Sequence, residues 1–280
     1  MSEPDPFESE PLAAPRLHAM QPAGAAQDAA TALKPAPLHI EYTHTRVRAD
    51  AWARLQLRPG VVRRDRSSLA ETFRMLRTQV MQRLRQDGHN LLAVTSARPT
   101  GSKSLTALNL ALTIAAEYDS AVLLVDADLS GQGVQRLFGL PELRGLGEHL
   151  SQGAPLADLL LNPGVERFVL LPAGQGAGVD SAELLATRAA QQLVQELRQR
   201  YADRIVIFDL PALLDRADAV TFLPQMQATL MVVEEGRTAL SDLETATELL
   251  TPFNLIGSVL SPPAEPSRRW PWSRRPARDG

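Results

Sequence analysis

The stretch LLAVTSARPTGSKSLTALNLALTIAAE, residues 91–117, joins an apolar run to a helical pattern and decides the fold. Leu91–Ser96 is an apolar run followed by turn residues, which predicts a short strand covered on both faces. From Ser104 onward, apolar residues recur at helical spacing. The loop between them consists mostly of small residues and ends in Lys103-Ser104. A strand, such a loop and a helix are together the context of a phosphate-binding loop, or P-loop.

The residue types of this loop suit a bound nucleotide. Backbone amides of the loop and the N terminus of the following helix would face the phosphates. Lys103 would reach the β- and γ-phosphates of ATP, and the hydroxyl of Ser104 would bind Mg²⁺. The predicted nucleotide-binding residues are Pro99, Thr100, Gly101, Ser102, Lys103, Ser104 and Leu105.

The loop departs at two positions from the pattern G-x-x-x-x-G-K-[ST]. Ala97 and Ser102 stand where that pattern has glycine. A non-glycine residue held at positive φ costs roughly 1 kcal/mol or more, so we expect strain at Ser102. The plainer interpretation of the loop is an ordinary strand-to-helix turn that carries an exposed lysine.

Aspartates end two other apolar runs. AVLLVD ends in Asp126, with Asp128 two residues later, and RIVIFD ends in Asp209. Ligands bind at the carboxyl ends of strands in open α/β sheets, where carboxylates could hold Mg²⁺ or take a proton from an attacking hydroxyl. The alternative is a solvated loop, since aspartate is common at such ends. We predict Lys103, Asp126 and Asp128 as catalytic, and Ser104, Asp126 and Asp209 as metal ligands.

Apolar runs alternate with stretches of helical spacing along the chain. In Ser181–Tyr201, for example, apolar residues recur at intervals of three or four. This alternation predicts an α/β fold, a doubly wound and mostly parallel sheet with helices on both faces. The predicted strands are Leu91–Ser96, Ala121–Asp126, Phe168–Leu171, Arg204–Asp209, Thr229–Val233 and Leu255–Leu260.

The composition limits the classes of function. A net charge of −3 gives no sign of nucleic-acid binding. The sequence has no cysteine, which excludes disulfides, thiolate metal sites and cysteine nucleophiles. No apolar run approaches the ~20 residues of a membrane span, and the acidic, proline-rich start is not a secretory signal. We therefore expect a soluble, cytoplasmic protein.

The chain divides into a central domain and two tails. Residues 1–38 are rich in Pro and Ala, which predicts disorder. The P-loop domain is predicted at 39–261 with its core at 68–260, and residues 39–65 are expected to be only partly ordered. Residues 262–280 form a flexible tail with arginines around two tryptophans, which could make a peripheral contact with anionic lipid headgroups. A merely solubilising tail is the alternative.

A series of motifs runs from Ser68 to Leu260. In order they are ETFRMLRT, VTSARPTGSKSLTALNLA, VLLVDADL, LFGL, GLGEHL, NPGVERFVLLPAG, SAELL, RYADRIVIFDLPALL and VVEEGRT. By their order and spacing, this part of the chain resembles the bacterial tyrosine kinases of exopolysaccharide and capsule systems, the CpsD/CapB type. The resemblance implies a P-loop fold related to the MinD and ParA ATPases, ATP and Mg²⁺ as ligands, and protein-tyrosine kinase activity.

The resemblance also implies roles for single residues. Lys103 and Ser104 match the Walker A lysine and hydroxyl, Asp126 and Asp128 match the Walker A′ aspartates, and Asp209 matches the Walker B aspartate. The partner implied by the family is an inner-membrane chain-length determinant of the Wzz type, which would hold the protein at the inner membrane.

The helix-like stretch ETFRMLRT carries a further family motif, E-x-x-R-x-x-R. It consists here of Glu71, Arg74 and Arg77. In the family this motif mediates ring-like self-association, so the resemblance implies a homo-oligomer. By spacing alone, the three residues are a solvated helix face whose ion pairs contribute well under 1 kcal/mol each.

Other positions depart from the family. The usual Pro-Gly-Glu-Gly-Lys is Pro-Thr-Gly-Ser-Lys at 99–103, and Ser130-Gly131-Gln132 stands in place of Arg-Arg-Pro. The tyrosines are Tyr42, Tyr118 and Tyr201, so the family's C-terminal tyrosine cluster is missing from this sequence. Two alternatives to an active kinase therefore stay open. One is a degenerate, nucleotide-sensing scaffold of the export complex, and the other is a MinD/ParA-like membrane-positioning ATPase.

Overall fold

The computed structural model describes residues 45–262, apart from 64, 66, 118, 131–132, 140–142, 176–179, 201–203 and the side chain of Arg200. The predicted tail at 1–38, residues 263–280 of the predicted C-terminal tail, and the three tyrosines lie outside the described residues.

One sheet holds the eight strands of the described residues. Its order is β1-β4-β5-β3-β6-β2-β7-β8, and every neighbouring pair is parallel except β4 with β5. The strands are β1 Arg46–Val47, β2 Leu91–Ser96, β3 Ala121–Asp126, β4 Leu161–Asn162, β5 Phe168–Leu171, β6 Arg204–Asp209, β7 Ala228–Glu234 and β8 Leu255–Ser261.

Helices cover both faces of this sheet. Alternate residues of a strand point to opposite faces, and accordingly Leu92 and Val94 of β2 pack in one apolar cluster while Leu91 and Ala93 pack in the other. The helices are α1 Ala49–Gln56, α2 Ser68–Gln86, α3 Gly101–Ala115, α4 Val134–Leu137, α5 Leu146–Gln152, α6 Leu156–Leu159, α7 Ser181–Leu185, α8 Arg188–Arg200, α9 Ala217–Phe222 and α10 Leu240–Leu250, with a 3₁₀ turn at Leu223–Gln225.

The two clusters are built by different helices. Side chains of α2 and α3, such as Val80 and Leu108, fill the first cluster. Side chains of α8, α9 and α10, such as Leu193, Phe222 and Leu250, fill the second. The predicted α/β fold, a mostly parallel sheet covered on both faces, is therefore confirmed.

The predicted strands agree closely with the structure. β2, β3, β5 and β6 have the predicted bounds, β7 is one residue longer at each end, and β8 is one residue longer at its end. The stretch of helical spacing at 181–201 contains two helices, α7 and α8, with an interruption at Ala186 and Thr187. The Thr187 hydroxyl accepts a hydrogen bond of 3.2 Å from the amide of Ala190 and so starts α8 as a new helix.

The N-terminal part of the domain contains a buried helix. Helix α1 lies in the segment that we expected to be only partly ordered. Its Ala51 and Leu55, four residues apart on one face, are completely buried in the first cluster. The two-residue strands β1 and β4 were not predicted, because so short a segment has no periodicity to detect.

Candidate functional site

The sheet order brings the predicted site residues together. Strand β6 lies between β2 and β3, and all three run in the same direction. Their carboxyl ends therefore share one edge, where Asp126 of β3 pairs in register with Asp209 of β6. The loop after β2 leads over the same edge into α3.

The loop turns into α3 earlier than the sequence indicated. Thr100 has extended backbone angles, and its side chain caps the helix by accepting a hydrogen bond of 3.2 Å from the amide of Ser102. Because the helix starts at Gly101, Ser102 is already helical. Among the described non-glycine residues, positive φ occurs only at Arg167 and Asn254. The predicted strain at Ser102 was therefore wrong.

Lys103 and Ser104 both contact the Walker B-like aspartate. The Lys103 ammonium lies 2.7 Å from Oδ1 of Asp209, and the Ser104 hydroxyl donates a hydrogen bond of 2.5 Å to Oδ2 of the same carboxylate. Asp128 is a second partner, with its Oδ2 at 3.8 Å from the Lys103 ammonium. Lys103 is only 3% exposed, so its charge is held by carboxylates rather than by bulk water.

Asp126 lies beneath this group and is fully buried. Its Oδ2 accepts a hydrogen bond of 2.6 Å from the amide of Gln135, and its Oδ1 accepts one of 3.3 Å from the amide of Asp128. Burial, together with the neighbouring Asp209 carboxylate, raises the pKa of Asp126 to about 8. Gly133 packs so closely here that a Cβ on it would overlap the Asp126 carboxylate, so the position requires glycine.

Glu234 contacts the loop from the end of β7. This carboxylate is 2% exposed and accepts a hydrogen bond from the Thr100 hydroxyl. The Thr100 hydroxyl in turn lies 2.8 Å from that of Ser102, and Arg237 lies 3.4 Å from Glu234. Sequence reasoning missed Glu234. The sequence did contain an indication of it, because Glu234 is a carboxylate at the end of a buried apolar strand, as are Asp126 and Asp209.

A polar cavity of 400 Å³ opens above these residues. Of the predicted nucleotide-binding residues, five line it: Pro99, Thr100, Gly101, Lys103 and Ser104. Ser102 is buried beside Thr100, and Leu105 lines a different cavity. Asp128 lines the polar cavity, while Asp126 and Asp209 lie beneath it. Arginines that the sequence did not single out also line it, namely Arg136, Arg216 and Arg237.

The donors at the site are oxygen atoms suited to Mg²⁺. Carboxylates and a hydroxyl are the ligands that a hard cation prefers, and Mg²⁺ in nucleotide sites takes few protein ligands beside phosphate and water. The described residues contain no group of three or more His, Cys, Asp or Glu side chains arranged to hold a metal ion by themselves. The predicted set of Ser104, Asp126 and Asp209 therefore fits Mg²⁺ that arrives with a nucleotide better than a resident metal.

The predicted oligomer motif divides into two parts. Glu71 and Arg74 form an exposed ion pair within α2. Arg77 instead contacts Glu117 at 3.0 Å and donates a hydrogen bond of 3.1 Å to the carbonyl of Thr113, so it joins α2 to the end of α3. The structure leaves Glu71 and Arg74 accessible and gives Arg77 a role within the domain.

No helix in the described part of the chain is long and apolar enough to cross a bilayer.

Comparisons with known proteins place these features in a family context. No protein-family model matches the chain. It is 34% identical over 180 residues to the succinoglycan biosynthesis transport protein ExoP of Rhizobium meliloti, which covers 64% of this chain and 22% of that protein. It is 28% identical over 196 residues to the tyrosine-protein kinase Etk of Escherichia coli K12, covering 69% of this chain and 26% of Etk. The chain thus spans about a quarter of the length of these two relatives.

A solved structure extends the likeness to the fold. The kinase domain of Escherichia coli tyrosine kinase ETK superposes with a TM-score of 0.64 at 28% identity, and the match covers 70% of this chain and 76% of that one. The sequence relatives and this superposition agree on one family. The chain is thus a relative of the bacterial tyrosine kinases of exopolysaccharide biosynthesis, and it has their P-loop kinase-domain fold.

Proposed function

We propose that this protein is an ATP-binding, tyrosine-kinase-like component that regulates exopolysaccharide biosynthesis and export. The observation that carries the proposal is the convergence of Lys103 and Ser104 with three aspartates at one edge of the sheet, below the capped N terminus of α3. The names of the relatives ExoP and Etk support the biological setting.

The residues of the site have separate roles in this proposal. The ammonium of Lys103 and the backbone amides of Thr100 to Ser104 bind the phosphates of ATP. The Ser104 hydroxyl and Asp209 hold Mg²⁺, which neutralises phosphate charge when it is bound. Asp126 and Asp128 complete the metal site through water or take the proton of an attacking hydroxyl.

The strength of the kinase activity is part of the proposal. Thr100 and Ser102 occupy the two positions where the family's P-loop has glycine, and Ser130 stands where the family has arginine. The Ser130 hydroxyl donates a hydrogen bond of 2.5 Å to Asp128 and brings no positive charge to the site. These observations favour weakened catalysis, and they make a nucleotide-sensing scaffold of the export complex the second candidate.

The proposed partners follow the family. They are an inner-membrane chain-length determinant of the Wzz type and further copies of this chain, with the exposed Glu71–Arg74 pair at the contact between copies. The protein would then work in the cytoplasm, held at the inner membrane by its partner.

Binding of Mg²⁺–ATP to the full chain, measured by calorimetry, tests the nucleotide site. Lys103 and Lys34 are the two lysines of the sequence, which offers a matched control. Lys103→Ala should abolish measurable binding, because the charge-assisted contact to phosphate is lost, while Lys34→Ala should bind like the wild type. Equal affinity in the wild type and Lys103→Ala would refute the proposed site.

An anti-phosphotyrosine assay with Mg²⁺–ATP then separates the two candidates. It should be run with and without the cytoplasmic segment of the chain-length determinant. Phosphotyrosine that appears with the partner and disappears in Lys103→Ala supports a kinase. ATP binding without any phosphotyrosine in either condition supports the scaffold.

A further inference from the structure

An apolar groove lies on the opposite side of α3 from the nucleotide site. It has a volume of 540 Å³ and is bounded by α2, the first turns of α3 and strand β8. Phe73 and Leu76 of α2, Leu105 of α3 and Val259 of β8 line it. Of the residues predicted for the nucleotide site, Leu105 alone lines this groove, and none of the residues that line the polar cavity does, so the groove is separate from that cavity.

The rim of the groove exposes large apolar side chains. Met75 is 61% exposed and Leu260 is 68% exposed, and both line the groove. A concave apolar surface with exposed apolar residues is typical of a binding site. β8 is also the last strand of the sheet within the described residues, and an edge strand usually needs cover. The groove and the edge therefore form one surface that lacks a partner in the described part of the chain.

The chain itself leaves from this surface. Pro262 lines the groove and is followed by residues 263–280, which contain Trp270 and Trp272. Trp270 is eight positions beyond Pro262, a distance of up to about 26 Å in extended backbone. The seven residues of β8 span about 23 Å. Both indoles can therefore reach any part of the groove.

We propose that residues 263–280 fold back onto their own domain and insert Trp270 and Trp272 into this groove. Each indole would cover apolar surface that is otherwise exposed to water, and tryptophan is among the side chains that bury the most surface. Side chains two residues apart lie on the same face of extended backbone, so the Trp-Pro-Trp sequence presents both indoles together. The neighbouring arginines keep their charged ends in water.

This segment is favoured over other occupants by its attachment point. A short tether gives a local concentration in the millimolar range, which a separate molecule reaches only when it is abundant. The N-terminal segment, by contrast, joins the domain at β1, at the far end of the sheet order from β8. Residues 263–280 thus reach the groove with the smaller loss of chain entropy.

Tryptophan fluorescence of the full chain tests the proposal. The spectrum of the wild type minus that of the Trp270→Phe/Trp272→Phe variant reports the two indoles without altering Trp52. Met75→Glu and Leu260→Glu place a charge at the rim on side chains that are already exposed, so the fold should survive. Leu240→Glu is the matched control, because Leu240 is 70% exposed and lies away from the groove.

We expect the two indoles to emit at short wavelength and to resist acrylamide quenching at every protein concentration. Met75→Glu and Leu260→Glu should shift the emission to longer wavelength and increase quenching, and Leu240→Glu should change neither. Indoles that are exposed in buffer and become protected only on anionic phospholipid vesicles would overturn the proposal in favour of a membrane contact. The proposal would also be overturned if the indoles became protected from quenching only when light scattering shows dimers. Protection that stays the same in Met75→Glu and Leu260→Glu would overturn it as well.

Discussion

Asp209 binds Lys103 and Ser104 at the same time, one through each carboxylate oxygen, at 2.7 and 2.5 Å. These are the two side chains that the loop motif assigns to phosphate and to Mg²⁺. Under the proposed function, binding of a nucleotide with its metal would be an exchange of partners, in which Lys103 would contact phosphate and Asp209 the cation.

Lys103→Met should destabilise the protein in the absence of nucleotide. The substitution removes the cation beside two carboxylates, Asp209 and Asp128, of which the first is completely buried. Breaking a buried ion pair costs on the order of 3 kcal/mol. Urea unfolding at neutral pH measures the loss, and the double variant Lys103→Met/Asp209→Asn should recover part of it. A single variant as stable as the wild type would contradict the buried pair.

Ser102→Gly should weaken binding of Mg²⁺–ATP. The strain that the sequence predicted at Ser102 would have meant tighter binding once glycine relieved it, but Ser102 is helical and its hydroxyl contacts that of Thr100. Glycine in the first turn of α3 loosens the helix start that faces the phosphates. Calorimetry measures the affinity, and tighter binding by Ser102→Gly would restore the strain hypothesis.

Thr100→Val should lower stability by about 1 kcal/mol, since it removes a helix cap. The hydroxyl also donates to Glu234, so Glu234→Gln should weaken the same contact, and the two changes together should cost less than their sum. Thermal unfolding of both single variants and the double variant measures this coupling. Thr245→Val on α10 is the control, because its hydroxyl donates back to the carbonyl of Ser241 and caps nothing.

Asp126 should make the stability of the metal-free protein fall as pH rises. Its pKa is raised to about 8 in the folded state, against an ordinary value of 3.8, so the folded state keeps a proton that the unfolded state has lost. The contribution of Asp126 to the free energy of unfolding is fully present below about pH 4 and is lost as the pH rises through 8. The loss amounts to at most about 1.4 kcal/mol per pH unit. Urea unfolding in EDTA at pH 5 and pH 8 measures the slope.

The matched variant for this slope is Asp126→Asn. Asparagine does not titrate and can still accept the hydrogen bond from the amide of Gln135, so the loss of stability between pH 5 and pH 8 should become smaller. Burial also raises the pKa of Asp209, and for that reason part of the slope should remain. An identical slope in the wild type and Asp126→Asn would show that Asp126 is not the group responsible.

Glu71→Lys should reduce the oligomer mass without unfolding the domain. Glu71 and Arg74 form an exposed ion pair, and its loss should cost little stability within one copy. A lysine at position 71 beside Arg74, however, introduces like-charge repulsion at any contact between copies that uses this face of α2. Light scattering on a sizing column measures the mass. A wild type that is monomeric at all concentrations would refute the predicted contact.

Arg77→Ala shows why the three motif residues need separate tests. Arg77 joins α2 to the end of α3, so its removal should lower stability by about 1–3 kcal/mol in the monomer itself. A fall in oligomer mass in this variant could come from a weakened domain. The comparison with Glu71→Lys at equal stability, measured by thermal unfolding, isolates the interface.

Much of the fold was predictable because buried parallel strands leave continuous apolar runs in the sequence. The position of Asp126 and Asp209 side by side follows from that prediction, since parallel strands end at one edge. The hydrogen bond between Thr100 and Glu234 was not predictable, because it joins residues 134 positions apart and depends on the sheet order. The strain predicted at Ser102 failed for a local reason, which is that the Thr100 cap starts the helix before that residue.

The position of β6 between β2 and β3 has a consequence for how the protein is made. β2 and β3 follow each other along the chain but are not neighbours in the sheet, and 77 residues lie between the end of β3 and the start of β6. A nascent chain that has left the ribosome only as far as α8 contains Lys103 and Asp126. It still lacks β6, the strand that pairs with both β2 and β3 and that carries Asp209. Such a chain exposes unpaired edges of two apolar strands, which are prone to aggregate. Closure of the central sheet and assembly of the proposed nucleotide site therefore occur together and late, because pairing over such a long separation is slow.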